Sequence, residues 1–281
     1  MSNEIWLNDR FVPYEEATVP IDDRGFQFSE SVYEVIHVYA GRPFEMERHL
    51  RRLKNGLDAL DIDLEMTLEE LAGKSMEVVH RNKLQDAAIY IQVTAGAAPR
   101  IHLRPKELRP NLIVIASPAA PASSEWPDSG INCVTVSDDR WGGCYIKTTM
   151  LLPNTTAKRR AVAAGYSDAI FVRDGYAVES TASNLFAVLD GALWTTPASN
   201  YILRGITREV VLELAHDAGI PVNEAPIPMH RLFTASELFV TGSGVELVCI
   251  TSVDGKQIGT GRPGPVIKTL RDAFRKRTLA R

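Results

Sequence analysis

The sequence predicts two domains that mix helix and strand: a small N-terminal α+β domain over residues 1–118 and a larger C-terminal mixed α/β domain over 131–281. Three observations lead there. Strand-like and helix-like segments are segregated in the first part of the chain. They alternate in the second. Between the two parts lies ASPAAPASSEWPDSG, residues 116–130, which is rich in Pro, Ala and Ser, lacks hydrophobic periodicity, and centres on a connector at 119–130.

In the first domain, short strands are expected at Ile5 to Leu7 and Val32 to Tyr39. A helix follows from Met46 to Leu60. A second starts at Thr67, where Thr-Leu-Glu-Glu forms a capping box, and runs to about Asn82. Strands at Ala88 to Thr94 and Asn111 to Ser117 lead to the connector. In the second domain, Cys133 to Ser137 alternates as a strand does, Thr155 to Ala164 reads as a helix, and Ile206 to Ala215 carries apolar residues at helical spacing. Asp-Gly pairs at 174/175, 190/191 and 254/255 lie between β-prone runs. Such pairs accept the positive φ angles of two-residue turns, so three antiparallel hairpins are expected. A last helix follows Pro263 and Pro265.

Composition narrows the function classes. Of 281 residues, 45% are hydrophobic and 23% charged, which is globular rather than disordered or fibrous. A net charge of −4 gives no basic footprint for nucleic acid. No apolar run reaches the roughly 18 residues of a membrane span, and the start, MSNEIWLNDR, lacks the pattern of a secretory leader, so a cytoplasmic protein is expected. Three cysteines without a CxxC pair point to neither a disulfide framework nor a zinc site.

Two charges stand alone in their segments. From Trp141 to Ala157 the only charged residue is Lys147. A lysine taken out of water loses its proton more easily and becomes a Schiff-base-forming nucleophile; the alternative is a surface lysine whose stem covers an apolar edge. Between Asp174 and Asp190 the only charge is Glu179, on the returning strand of the first Asp-Gly hairpin. A carboxylate held there could keep a ring nitrogen protonated, or it could face water on an alternating strand.

Two further groups of residues have the chemistry of anion sites. Leu203-Arg204-Gly205-Ile206-Thr207-Arg208 leads into a helix, so the amides of Ile206 and Thr207 would point out of its N-terminus, where phosphate binds readily. Thr241-Gly242-Ser243-Gly244 is a second polar turn, and Arg52 could add a countercharge, or lie on a solvated helix face. Neither turn is a P-loop. Arg100 and His102, two apart after a strand, would share a face if the backbone there is extended. With the phenol of Tyr33 they would trap a carboxylate; otherwise they are polar residues of an exposed loop.

Taken in order, these segments resemble the class IV, or fold type IV, pyridoxal-phosphate aminotransferases, and within them the D-amino-acid branch. The resemblance rests on Asp23-Arg24-Gly25-Phe26-Gln27-Phe28, Ser31-Val32-Tyr33-Glu34-Val35, His49-Leu50-Arg51-Arg52-Leu53, Arg100-Ile101-His102, Cys144-Tyr145-Ile146-Lys147, Glu179-Ser180 with Ser183-Asn184, Gly205-Ile206-Thr207-Arg208 and Thr241-Gly242-Ser243. It implies a C-terminal domain built on a pseudo-barrel sheet. It also implies that Lys147 forms the covalent link to pyridoxal 5'-phosphate and then moves the proton between substrate Cα and cofactor C4′. Glu179 would pair with the pyridine nitrogen. Arg52, Ile206, Thr207 and Ser243 would hold the phosphate, and Tyr33, Arg100 and His102 the substrate α-carboxylate. In this family the Arg-x-His pair comes from the neighbouring subunit, so a homodimer is implied, with D-amino acids and 2-oxo acids as substrates of a ping-pong transamination.

Two positions depart from the family pattern. Ser29-Glu30-Ser31 stands where Gly-Asp-Gly or a similar turn is common, which puts the local turn in question, and His37 replaces a residue that is often basic or polar. Within the same fold, a branched-chain L-amino-acid aminotransferase, an (R)-selective amine transaminase and a 4-amino-4-deoxychorismate lyase are the alternatives. Outside enzymology, the alternative is a non-catalytic cofactor carrier, which would not need both Lys147 and Glu179.

Overall fold

A computed structural model describes residues 3–119 and 129–279. Most of the expected connector, 120–128, lies outside the described residues. The chain divides into two compact units. Of the described residues, 3–119 and Ile146–Met150 form one, and 129–145 with 151–279 form the other.

The first unit is a six-stranded antiparallel sheet in the order β2-β1-β6-β5-β3-β4. Its strands are β1 (Glu4–Leu7), β2 (Arg10–Pro13), β3 (Ser31–Tyr39), β4 (Arg42–Pro43), β5 (Ala87–Thr94) and β6 (Asn111–Pro118). The helices are a short α1 (Arg24–Phe28), then α2 (Met46–Ala59) and α3 (Leu68–Arg81). The capping box is present: Thr67 accepts from the Glu70 amide, and the Glu70 carboxylate accepts from the Thr67 amide. Register fixes the faces. Ile36 opposes Ile89, and Val32 opposes Val93. These residues pack with Leu50, Leu53 and Leu57 of α2 and with Leu71, Val78 and Val79 of α3 in one core. Strand alternation sends Tyr33, Val35 and His37 to the opposite face.

Near its start, β3 has an open edge, because β4 pairs only with Val38 and Tyr39. The segment around Lys147 fills that edge. Val32 bridges Thr148, the Tyr33 amide donates to the Lys147 carbonyl at 2.9 Å, and the Thr149 amide donates to Ser31 at 3.3 Å.

The second unit holds a ten-stranded mixed sheet. Its strands are β7 (Ile131–Ser137), β8 (Asp168–Arg173), β9 (Tyr176–Ser180), β10 (Asn184–Leu189), β11 (Ala192–Thr195), β12 (Val222–Glu224), β13 (Ile227–Pro228), β14 (Glu237–Gly242), β15 (Glu246–Val253) and β16 (Lys256–Gln257). The helices are α4 (Leu152–Ala163), α5 (Ile206–Asp217), α6 (Met229–Leu232) and α7 (Pro265–Leu279). Neighbouring strands run β10-β14-β15-β7-β8-β9, and β9 pairs back to β10 through Glu179 and Asn184, so the six strands close on themselves. This ring is the expected pseudo-barrel. All three Asp-Gly turns form, with φ of 51° and 82° at Asp174 and Gly175, 51° and 78° at Asp190 and Gly191, and 50° and 73° at Asp254 and Gly255. Among the described residues, no helix is long and apolar enough to cross a membrane.

Candidate active site

The site residues expected from sequence are distributed over both units. In the first, Lys147 is half-buried, and its Nζ lies 4.3 Å from the centroid of the Tyr33 ring. Main-chain bonds to β3 hold it there. Ser31 and Thr149 hydroxyls meet at 2.6 Å and reinforce the junction.

On the helix-facing side of β3, the register places a carboxylate, Glu34, opposite Ile91 in the core. It is fully buried and bound from α2. Arg52 donates through Nε at 2.6 Å and Nη2 at 2.8 Å, and His49 Nδ1 lies 2.7 Å from Oε2. Burial works against the charge on Glu34, but the Arg52 guanidinium and the His49 ring overcome it and bring the carboxyl down to about 2. Burial lowers the His49 pKa, so the ring is neutral and its Nδ1–H donates to the carboxylate. Arg52, expected to be a phosphate ligand, is thus oriented first by Glu34.

Arg100 and His102 do not lie on an extended stretch. The Ile101 amide donates to the Pro99 carbonyl at 2.7 Å, which makes a tight turn. Both side chains nevertheless rest on one ring, Phe28 of α1. Arg100 Cζ is 5.3 Å from the ring centroid, and the His102 ring meets it edge-on at 5.9 Å. The turn after Phe28, questioned because Ser29 replaces glycine, keeps a left-handed residue all the same: Ser29 caps α1 at φ 57°.

In the second unit, Glu179 is 6% exposed, at the strand pair that closes the barrel. It does not face water. Oε1 accepts from Arg140 Nη1, and Oε2 accepts from Asn184 Nδ2 at 3.0 Å and from the Leu203 amide at 3.3 Å. Arg140 divides itself, giving Nε and Nη2 to Asp138 at 2.8 and 3.0 Å. Burial pushes the Glu179 carboxyl up to about 7 against the pull of Arg140, and the nearby Asp138 adds to the rise. A cation placed against Glu179 would relieve that imbalance.

Beside it lies an anion cradle. Gly205 is the N-cap of α5 and supplies no side-chain cap, so the helix leaves its first amides, including those of Ile206 and Thr207, for another acceptor. Glycine here leaves room for Asn184, because a Cβ would run into Asn184 Oδ1. Asn184 is also the register partner of Thr241, whose buried hydroxyl has no hydrogen-bond partner among the described residues. Ser243 follows, half-buried in the β14–β15 turn. A phosphate with several acceptor oxygens fits an orphaned hydroxyl and an uncapped helix end, and a protonated ring nitrogen fits Glu179. The residues therefore suit pyridoxal phosphate.

Sequence reasoning missed Arg140, Asn184 as a ligand of Glu179, and the Glu34–His49 pair. Only Glu34 left a sequence signal, since it is a charge in the apolar phase of Val32, Ile36 and Val38.

Comparison with known proteins agrees with this geometry. Residues 31–253 match the family described as amino-transferase class IV. The D-alanine aminotransferase of Bacillus licheniformis is 35% identical over 277 residues, 99% of this chain and 98% of the relative. That of Staphylococcus haemolyticus is 36% identical over 278 residues, 97% of each chain. Among solved structures, a branched-chain amino acid aminotransferase from Escherichia coli superposes with a TM-score of 0.92 at 28% identity, covering 98% of this chain and 94% of that one. A further branched-chain enzyme, solved with pyridoxamine 5'-phosphate, gives 0.91 at 29%, covering 100% and 96%. The architecture is that of a fold type IV pyridoxal-phosphate enzyme. The chain belongs to the class IV aminotransferase family, and its cofactor is pyridoxal 5'-phosphate.

Proposed function

We propose that this aminotransferase acts on D-amino acids such as D-alanine, passing the amino group to a 2-oxo acid such as 2-oxoglutarate in a ping-pong cycle. The observation that carries the reading is the convergence of Arg100 and His102 on Phe28. Two donors on one aromatic platform are suited to an α-carboxylate, with Tyr33 as a third. The D-alanine aminotransferases above, similar along nearly their whole length, support the same choice.

On this reading Lys147 holds the cofactor and carries the substrate Cα proton, and its place against the Tyr33 ring sets the face from which it acts. Bound pyridoxal phosphate supplies the electron sink for the charge left at Cα. Glu179 keeps a proton on the ring nitrogen. Ile206, Thr207 and Ser243, with Arg52, fix the phosphate, so that binding energy is spent on orientation. Placing the carboxylate and placing the amine are separate tasks, and together they decide the hand of the substrate.

The same reading makes the enzyme a cytoplasmic homodimer in which each Arg-x-His pair serves the neighbouring subunit. Support comes from large apolar side chains exposed around that pair: Ile21 before α1, Phe26 on α1, and Ile101 and Leu103 flanking His102. A sedimentation experiment that finds only monomer would remove this part.

The structural neighbours favour a second reading, a branched-chain L-amino-acid aminotransferase. A half-reaction panel separates the two. D-alanine or D-glutamate should convert bound cofactor rapidly to the pyridoxamine form. Rapid conversion by L-leucine, with none by the D-amino acids, overturns the proposal.

A further inference from the structure

We propose that Arg24, with Glu30 as its counterion, is the positioning residue that sets the Arg100–His102 turn in its carboxylate-binding shape. This rests on the reading of Arg100 and His102 given above. Arg24 is 1% exposed, and its side chain reaches Glu30, this turn and the turn's aromatic platform. Nε and Nη2 donate to the two oxygens of Glu30, each at 2.7 Å. Nη1 donates to the Ile101 carbonyl at 2.7 Å, and Nη2 also reaches the His102 carbonyl at 3.1 Å. The guanidinium lies 4.6 Å from the centroid of Phe28, the ring on which Arg100 and His102 rest.

One buried cation therefore grips the main chain of the turn and the aromatic under its side chains. Glu30 completes the grip, and its hydrogen bonds with Arg24 hold its carboxyl below the usual range. The far end of the turn is tied separately, where Arg104 donates to the Leu60 and Asp61 carbonyls at 2.7 and 2.8 Å. The side chains of Arg100 and His102 are exposed, and no regular strand or helix holds their backbone. A loop with exposed binding groups needs its geometry fixed from behind, and a small misplacement is costly. Arginine suits the task because its planar fork makes these four hydrogen bonds, two of them bidentate to Glu30, whereas a lysine ammonium has three donors on a single nitrogen.

The test uses the holoenzyme with D-alanine and compares Arg24→Gln, Arg100→Ala and the double variant. If Arg24 acts through the trap, Arg24→Gln raises KM about tenfold or more, leaves kcat within about threefold and leaves cofactor affinity unchanged. The double variant then loses less than the product of the two single losses, because both act through one trap. An unchanged KM in Arg24→Gln, or losses that add in the double variant, overturns the proposal. Should Arg24→Gln fail to fold, Arg24→Lys decides: raised KM with normal cofactor binding supports positioning, and a wild-type KM overturns it. Arg100→Ala tests the underlying reading by itself, since an unmoved KM there removes the trap whatever Arg24 does.

Discussion

Glu34 and Glu179 are both carboxylates buried in protein, and both face an arginine, yet they settle in opposite states. Glu34 is pulled down to about 2, while Glu179 is pushed up to about 7. The difference lies in how much of each arginine is available. Arg52 gives two nitrogens to Glu34, and His49 adds a third donor. Arg140 gives one nitrogen to Glu179 and two to Asp138, so a second acid competes for the same cation. Burial alone does not set a carboxylate's charge; the share of a cation committed to it does. Glu34 is compensated within its own unit. Glu179 is left short of positive charge, the state that the proposed pairing with a ring nitrogen calls for.

The sharpest way to break this contrast is to remove each acid. Glu34→Ala leaves Arg52 without its buried partner and should cost about 3–5 kcal/mol of stability, measured by denaturant unfolding. Glu179→Gln should fold, with stability near that of wild type at pH 4.5 where the carboxyl is neutral, but slow the donor half-reaction roughly 10²–10³-fold, read by stopped-flow absorbance. If both variants lose stability alike and activity alike, the two carboxylates are not distinct.

Titration gives an effect of intermediate size. Glu179 has a raised pKa, so between 4.5 and about 7 the folded apo-protein keeps a proton that the unfolded chain has released. Stability contributed by this group therefore falls as pH rises through that window, by on the order of 3 kcal/mol. Glu34 has a lowered pKa, and its contribution is full above 4.5 and fades as pH drops toward about 2. Unfolding free energies of wild type and Glu179→Gln, compared between pH 4.5 and 7, should diverge with that sign. Adding pyridoxal phosphate should flatten the wild-type slope.

A smaller effect is expected at Gly205→Ala. The added methyl meets Asn184 Oδ1, and Asn184 is a donor to Glu179. The clash should cost about 1–3 kcal/mol and should weaken cofactor binding in a fluorescence titration. Normal cofactor affinity in that variant would separate the cradle from the Glu179 network.

What could be read from the sequence divides along the same physical line, local against distant. The Thr67 capping box and the three Asp-Gly turns are written in adjacent residues, and they form as expected. Lys147, Glu179 and the Gly205 turn are visible as isolated charges or as a glycine before a helix. The closure of the barrel is not, because the pairing of Glu179 with Asn184 carries no pattern of its own. Nor is Arg140, whose partner lies 39 positions away. The turn at Arg100 defeats a two-residue periodicity because Pro99 begins a hydrogen-bonded reversal that alternation cannot signal. Of the missed residues, only Glu34 could have been found by eye, as an acid in the wrong phase of a strand.

Lys147 is hung from β3 by amides and carbonyls rather than by its own side chain. Exchanging that residue for another would leave the suspension intact, so the proposed nucleophile is the part of the platform that structure tolerates losing most easily and, on the proposed function, chemistry least. A descendant of this chain could shed its reactivity in a single step and still present the same scaffold.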